Sequence, residues 1–124
     1  TAGSGRSGSL TRDYGANMAG HTQAVTMENF ESVVDTHAIV VLDFWAAWCG
    51  PCRVFAPAYE AMAEAHPDIF FGKVDTEAAG DLAAAFQVRS IPTIMAFKNA
   101  ELVFEQPGLL PVEQFDALIR RLRS

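Results

Sequence analysis

Beyond about position 20 the chain alternates between two hydrophobic rhythms. Short runs rich in β-branched and aromatic residues read as strands. Runs with apolar positions three and four apart read as helices. His21 to Val25 predicts a short first strand. Thr26 then offers a cap for a helix carrying Phe30, Val33 and Val34 on one face. Ile39 to Trp45 predicts a buried central strand. Cys49 to about His66 predicts a long helix with apolar positions Val54, Phe55, Tyr59 and Met62. Pro57 lies inside that helix and is expected to kink it, because proline lacks an N–H and clashes one turn back. Phe70 to Asp75 predicts a further strand, and Asp81 to Phe86 a short alanine-rich helix. Thr93 to Phe97 and Leu102 to Glu105 predict a hairpin across Lys98 to Glu101. The last helix runs from about Pro111 to Leu122, with Val112, Phe115, Leu118, Ile119 and Leu122 as its buried stripe. Arg120, Arg121 and Arg123 suit its negative end. The order βαβαβαββα implies an α/β fold with a mixed sheet and helices on both faces. Phe30, Phe44, Phe55, Phe70, Phe86, Phe97 and Phe115 are the expected core aromatics.

Composition changes this picture at one end. Thr1 to Ser9 is rich in glycine and serine, and nothing up to Gly20 has apolar periodicity. Residues 1–20 are expected to be a disordered leader without function, with Thr1 to about Asn17 vector-derived and Met18 a native start. A natural flexible tail is the alternative. That leaves residues 21–124 as one domain, and half of the 124 residues are hydrophobic, enough for a core without disulfides or metal. The formal net charge of -6 argues against nucleic acid and anionic membrane surfaces as partners. Apolar runs such as Ala38 to Leu42 are far too short to span a bilayer, and no export signal is visible.

The two cysteines, Cys49 and Cys52, are the only ones in the chain and sit three apart. A disulfide between them would close a very small ring, which removes little entropy from the unfolded chain. The pair is better suited to chemistry than to architecture. A lone Cys-x-x-Cys favours a reducing compartment such as the cytoplasm. Structural zinc needs four ligands, and His21, His37 and His66 lack ligand spacing, so no metal is expected short of one shared between two chains. No glycine-rich phosphate loop occurs, so no bound cofactor is expected.

Reaction at sulfur needs a thiolate, and an ordinary cysteine is largely protonated at neutral pH. Cys49 follows a strand by a short turn and opens a helix, where unpaired backbone N–H groups favour negative charge. Cys52 lies one turn deeper on the same face, within bonding reach. Gly50 allows a tight turn, and Pro51 enters the first turn, where a missing N–H costs little. Cys49 is therefore expected to be the exposed attacking thiol and Cys52 the more buried resolving thiol. Asp43 interrupts an apolar strand. Burial should raise its pKa, and an acid beneath the thiols could take the proton from Cys52. A structural acid paired with Lys73 is the other reading, and the two are compatible. Trp48 presents a flat apolar surface beside Cys49, whereas Trp45 is expected in the core, with partial exposure as the alternative. Arg53 either helps a partner dock or is a solvated helix charge.

The stretch Val41-Leu42-Asp43-Phe44-Trp45-Ala46-Ala47-Trp48-Cys49-Gly50-Pro51-Cys52-Arg53 resembles the active-site segment of the thioredoxin family. Further matches are Pro57, Lys73-Val74-Asp75, Ile91-Pro92-Thr93 and Gly108, and the likeness runs from about Val25 to Leu122. The resemblance implies the thioredoxin fold, with about five strands and four helices. It implies a protein disulfide reductase cycling between a Cys49/Cys52 dithiol and a disulfide. It gives Asp43 the proton-transfer role, through a water, with Lys73 tuning it. It makes the Ile91-Pro92 bond cis and places Trp48, Ile91, Pro92 and Gly108 against substrate, Ile91 through its backbone. Gly108 would allow close approach of a loop to the site, or simply serve turn geometry. The implied partners are disulfide-containing proteins and a flavin-dependent thioredoxin reductase using NADPH, met by a monomer. Two residues depart from the family pattern: Ala100, where the hairpin turn commonly has glycine, so that a change of turn type is expected, and Ala47 before the tryptophan. The rivals are an exported oxidant or isomerase on the same fold, against which Gly50-Pro51 argues, and a non-catalytic accessory subunit.

Overall fold

The computed structural model describes residues 20–124. The expected leader, apart from Gly20, lies outside the described residues. The elements are β1 (Gln23–Ala24), α1 (Phe30–Thr36), β2 (Ile39–Trp45), α2 (Gly50–Ala65), β3 (Phe70–Asp75), α3 (Gly80–Ala85), β4 (Thr93–Lys98), β5 (Glu101–Pro107) and α4 (Val112–Arg123). They follow the expected order and build one five-stranded sheet, β1-β3-β2-β4-β5. β3 runs parallel to β1 and β2, and β4 is antiparallel to β2 and β5.

Side-chain alternation along β2 divides the core in two. Val40, Leu42 and Phe44 face a layer closed by Val33 and Val34 of α1 and Leu82 and Ala83 of α3. Val41 faces the other layer, where α2 contributes Phe55, Tyr59 and Met62 and α4 contributes Phe115, Leu118, Ile119 and Leu122. Phe115 lies close to both Phe55 and Tyr59, with ring centroids 6.1 Å away in each case. Gly72 of β3 is the most closely surrounded of the described glycines. A Cβ there would come within 2.7 Å of Val25 and 2.8 Å of Leu42, so this position of β3 has no room for a side chain.

Several expectations need correction. α1 begins at Phe30, and Thr26 does not cap it. Thr26 opens the preceding turn, where its carbonyl accepts from the Asn29 and Phe30 amides and its own N–H donates to Asn29 Oδ1 at 2.8 Å. Val54 is exposed because it lies on the far side of α2 from Cys52, Phe55 and Tyr59. Val112 is exposed as the first residue of α4, where the side chain leans past the helix start. Phe30 and Phe86 are only half-buried; they meet edge to face at 5.3 Å at the margin of the α1/α3 layer. Pro57 needs no correction of place: it lies inside α2, as expected. The hairpin keeps a two-residue loop: Asn99 and Ala100 both have positive φ, 53° and 68°, the combination a type I′ turn requires. Alanine has not changed that geometry.

Candidate active site

Three chain segments converge at the carboxyl ends of β2 and β3. The first is the turn from β2 into α2. Cys49 is the N-cap of α2, and its own N–H donates to the Ala46 carbonyl at 3.1 Å. The Cys52 amide, one of the free donors of the first helical turn, donates to Cys49 Sγ at 3.2 Å. Pro51 occupies a first-turn position whose N–H has no helical partner to lose. Cys49 and Cys52 form a disulfide with Cα atoms 5.3 Å apart. Both are buried in this state, 4% and 3% exposed, so the expected contrast in exposure is absent. What separates the two sulfurs is the helix start: Sγ of Cys49 takes the amide, while Cys52 is already inside the helix. Gly50 and Arg53 are exposed on either side.

The second segment is the pair of central strands. Alternation puts Asp43 on the same face as Val41, under α2. Its register partners are Lys73 on β3 and Ile94 on β4. Asp43 is 1% exposed, and neither carboxylate oxygen has a hydrogen-bond partner among the described residues. Burial pushes its pKa up to about 7, against the downward pull of the Lys73 charge. The direct pairing with Lys73, the alternative reading of this acid, is not made. Lys73 Nζ instead lies 4.7 Å from the centroid of the half-buried Trp45 ring and acts on Asp43 through space.

The third segment is the loop into β4. The Ile91-Pro92 bond is cis, and the Ile91 carbonyl oxygen lies 3.8 Å from Cys49 Sγ. Thr93, buried, donates its hydroxyl to the Ser90 carbonyl at 2.5 Å, closing the turn around Pro92. Gly108 donates its N–H to the Pro92 carbonyl at 2.7 Å. Its φ of +87° explains the glycine, and no atom lies within 4 Å of where a Cβ would sit. Close approach is therefore not the reason; backbone conformation is.

Sequence reasoning missed the brace beneath Trp48. That ring is 67% exposed, yet its Nε1 donates to Glu77 Oε2 at 2.6 Å. Glu77 is held in turn, because its amide donates to Asp75 Oδ1 at 2.9 Å. Next to it, Thr76 donates both its amide and its hydroxyl to the Trp45 carbonyl, at 2.9 and 3.0 Å. The loop after β3 thus steadies the active-site turn from the side. The only sequence signal for it was an Asp-Thr-Glu run at the end of a strand adjacent to β2. Among the described residues, no group of three or more His, Cys, Asp or Glu side chains is arranged to hold a metal. The site offers an electrophilic disulfide at the turn after β2, a proton-holding acid within that strand and an exposed flat indole. That combination supports thiol–disulfide exchange.

Comparison with known proteins agrees with this chemistry. The family model described as thioredoxin matches residues 21–121. A Streptomyces coelicolor protein provisionally named thioredoxin 2 is 50% identical over 103 residues, covering 83% of this chain and 77% of its own. A Halobacterium salinarum thioredoxin, solved as a point mutant, superposes with a TM-score of 0.77 at 32% identity, covering 83% of this chain and 91% of its own. A chain from a complex of ferredoxin:thioredoxin reductase and thioredoxin f2 superposes with a TM-score of 0.75 at 32% identity, covering 86% of this chain and all of its own.

Proposed function

The chain belongs to the thioredoxin family, and from that premise we propose that this thiol–disulfide oxidoreductase runs as a reductase of protein disulfides. The observation that carries the reading is the Cys52 amide donating to Cys49 Sγ. A helix-start N–H aimed at one sulfur stabilises negative charge there, so in the dithiol form Cys49 is the thiolate.

The cycle follows from that asymmetry. The Cys49 thiolate attacks one sulfur of a substrate disulfide. That S–S bond breaks, and the departing thiolate takes a proton. Cys49 is now joined to the substrate by a mixed disulfide. Cys52 then gives its proton to Asp43 and attacks Cys49 Sγ. The mixed bond breaks, the second substrate thiol leaves, and two electrons have passed to the substrate. Asp43 suits the task because its pKa near 7 lets it accept and return a proton at neutral pH. Lys73 keeps that value from rising further. Trp48, the Ile91 backbone, Pro92 and Gly108 form the rim on which an extended substrate segment lies.

The product disulfide must be reduced again. We assign that step to a thioredoxin reductase using NADPH and flavin, met transiently by a monomer of this chain in the cytoplasm. No described helix is long and apolar enough to cross a membrane. Insulin reduction coupled to a bacterial thioredoxin reductase and NADPH tests the direction of transfer. Sustained turnover is expected, with the dithiol–disulfide equilibrium against glutathione lying on the reducing side. An equilibrium that favours the dithiol, with thiol oxidation outpacing insulin reduction, contradicts it.

A further inference from the structure

Tyr59 lies on α2, seven residues beyond Cys52 and so on the same helix face. It is fully buried, and its hydroxyl is within hydrogen-bond distance of two carbonyl oxygens, 3.1 Å from Val41 and 2.7 Å from Gly72. Those carbonyls belong to neighbouring strands. Val41 stands two residues before Asp43, and Gly72 directly precedes Lys73, the register partner of Asp43. One phenolic proton therefore ties the helix that carries the cysteines to both strands that carry the acid and the base. Packing alone does not call for a hydroxyl, since Phe55, Phe71 and Phe115, the rings against Tyr59, have none. A buried hydroxyl is costly unless bonded, and this one is bonded at the junction the proton path uses.

We propose that Tyr59 is a positioning residue for proton transfer at Asp43: its hydroxyl clamps α2 onto β2 and β3, keeping the carboxyl dry and at a fixed place beneath Cys52. The titratable and charged groups that act on Asp43 are few. Lys73 comes from β3 and Tyr59 from α2. Ile94, its register partner on β4, is apolar, as are the buried positions of α4. Glu60, next along α2, is occupied by the His21 amide and the Thr22 hydroxyl. Burial holds the Tyr59 phenol well above its ordinary pKa, with the Asp43 charge adding to the rise, so the hydroxyl keeps its proton throughout the working range.

The inference rests on Asp43 as the proton-transfer group, yet its test reads the carboxyl itself and can fail separately from that role. In full-length oxidised Tyr59→Phe, loosening of the clamp admits water to the carboxyl. The carbon-13 titration midpoint of Asp43 is expected to fall by about 0.5 pH unit or more. The pH profile of mixed-disulfide resolution should move with it. Ile119→Val, a core change on α4 that leaves the clamp intact, should lower Tm but not the midpoint. In the unmodified protein the Tyr59 Cζ resonance should follow the Asp43 titration. The proposal is overturned if Tyr59→Phe lowers Tm yet leaves midpoint and profile in place. It is equally overturned if Ile119→Val moves the midpoint as far, or if the Tyr59 resonance stays flat across it.

Discussion

Asp43 holds its proton near neutral pH because it has been taken out of water and, among the described residues, given no hydrogen-bond donor in exchange. That has a thermodynamic consequence. Its folded pKa of about 7 stands above the ordinary 3.8. Between those values the folded chain keeps a proton that the unfolded chain has released, so stability falls as pH rises through the window. A shift of this size corresponds to roughly 4 kcal/mol lost between pH 4 and pH 7. Chemical denaturation of the oxidised protein across this range should show that decline, and Asp43→Asn should abolish most of it. A decline of the same depth in the variant would place its cause elsewhere. The same variant should slow resolution of mixed disulfides near neutral pH by roughly one to two orders of magnitude, the scale of a lost general base; an unchanged rate would reduce Asp43 to a structural acid. The residue itself was legible in the sequence, because a carboxylate inside Ile39–Trp45 contradicts the apolar pattern around it. Its lack of any bonding partner was not, since Lys73 looked equally suited to a direct pair.

Elements with strong periodicity were read to within a residue or two, including β2, β3 and the length of α2. Their signals are local: β-branched runs for the strands, a thiol–glycine–proline start for the helix. The errors fall where position within an element decides exposure. Val54 and Val112 fit the helical spacing yet face outward, because one sits opposite the core face and the other overhangs a helix start. Thr26 has capping chemistry but stands a turn too early. The β4–β5 hairpin shows a tertiary override of a different kind. Ala100 adopts a φ of 68° that its Cβ disfavours, and the flanking strand pairing holds it there. Ala100→Gly should relieve that cost and stabilise the chain by about 1 kcal/mol. Denaturant midpoints of the two proteins check this, and an unaltered or lower midpoint for the glycine variant would mean that the turn carries no strain.

At the scale of the molecule, two helical layers fix a sheet whose central strands end at one rim, and everything chemical is gathered there. The α2 layer carries the cysteines and is tied through Tyr59 to β2 and β3, the strands of Asp43 and Lys73. The loop after β3 braces Trp48 through Glu77, and the Pro92–Gly108 bond joins two loops on the other side. The cysteine pair, the acid and the proline loop were visible as motifs. The braces were not, because they join side chains and carbonyls that only the folded topology brings together. The central claim is a division of labour between two sulfurs that are equally buried in the disulfide and distinguished by a single helix-start amide. It is tested most directly by trapping. Cys52→Ser and Cys49→Ser, each mixed with a disulfide-containing protein, should differ sharply. Cys52→Ser should accumulate a stable mixed disulfide through Cys49, and Cys49→Ser should accumulate almost none. Equal trapping by the two variants, or trapping by Cys49→Ser alone, would contradict the account.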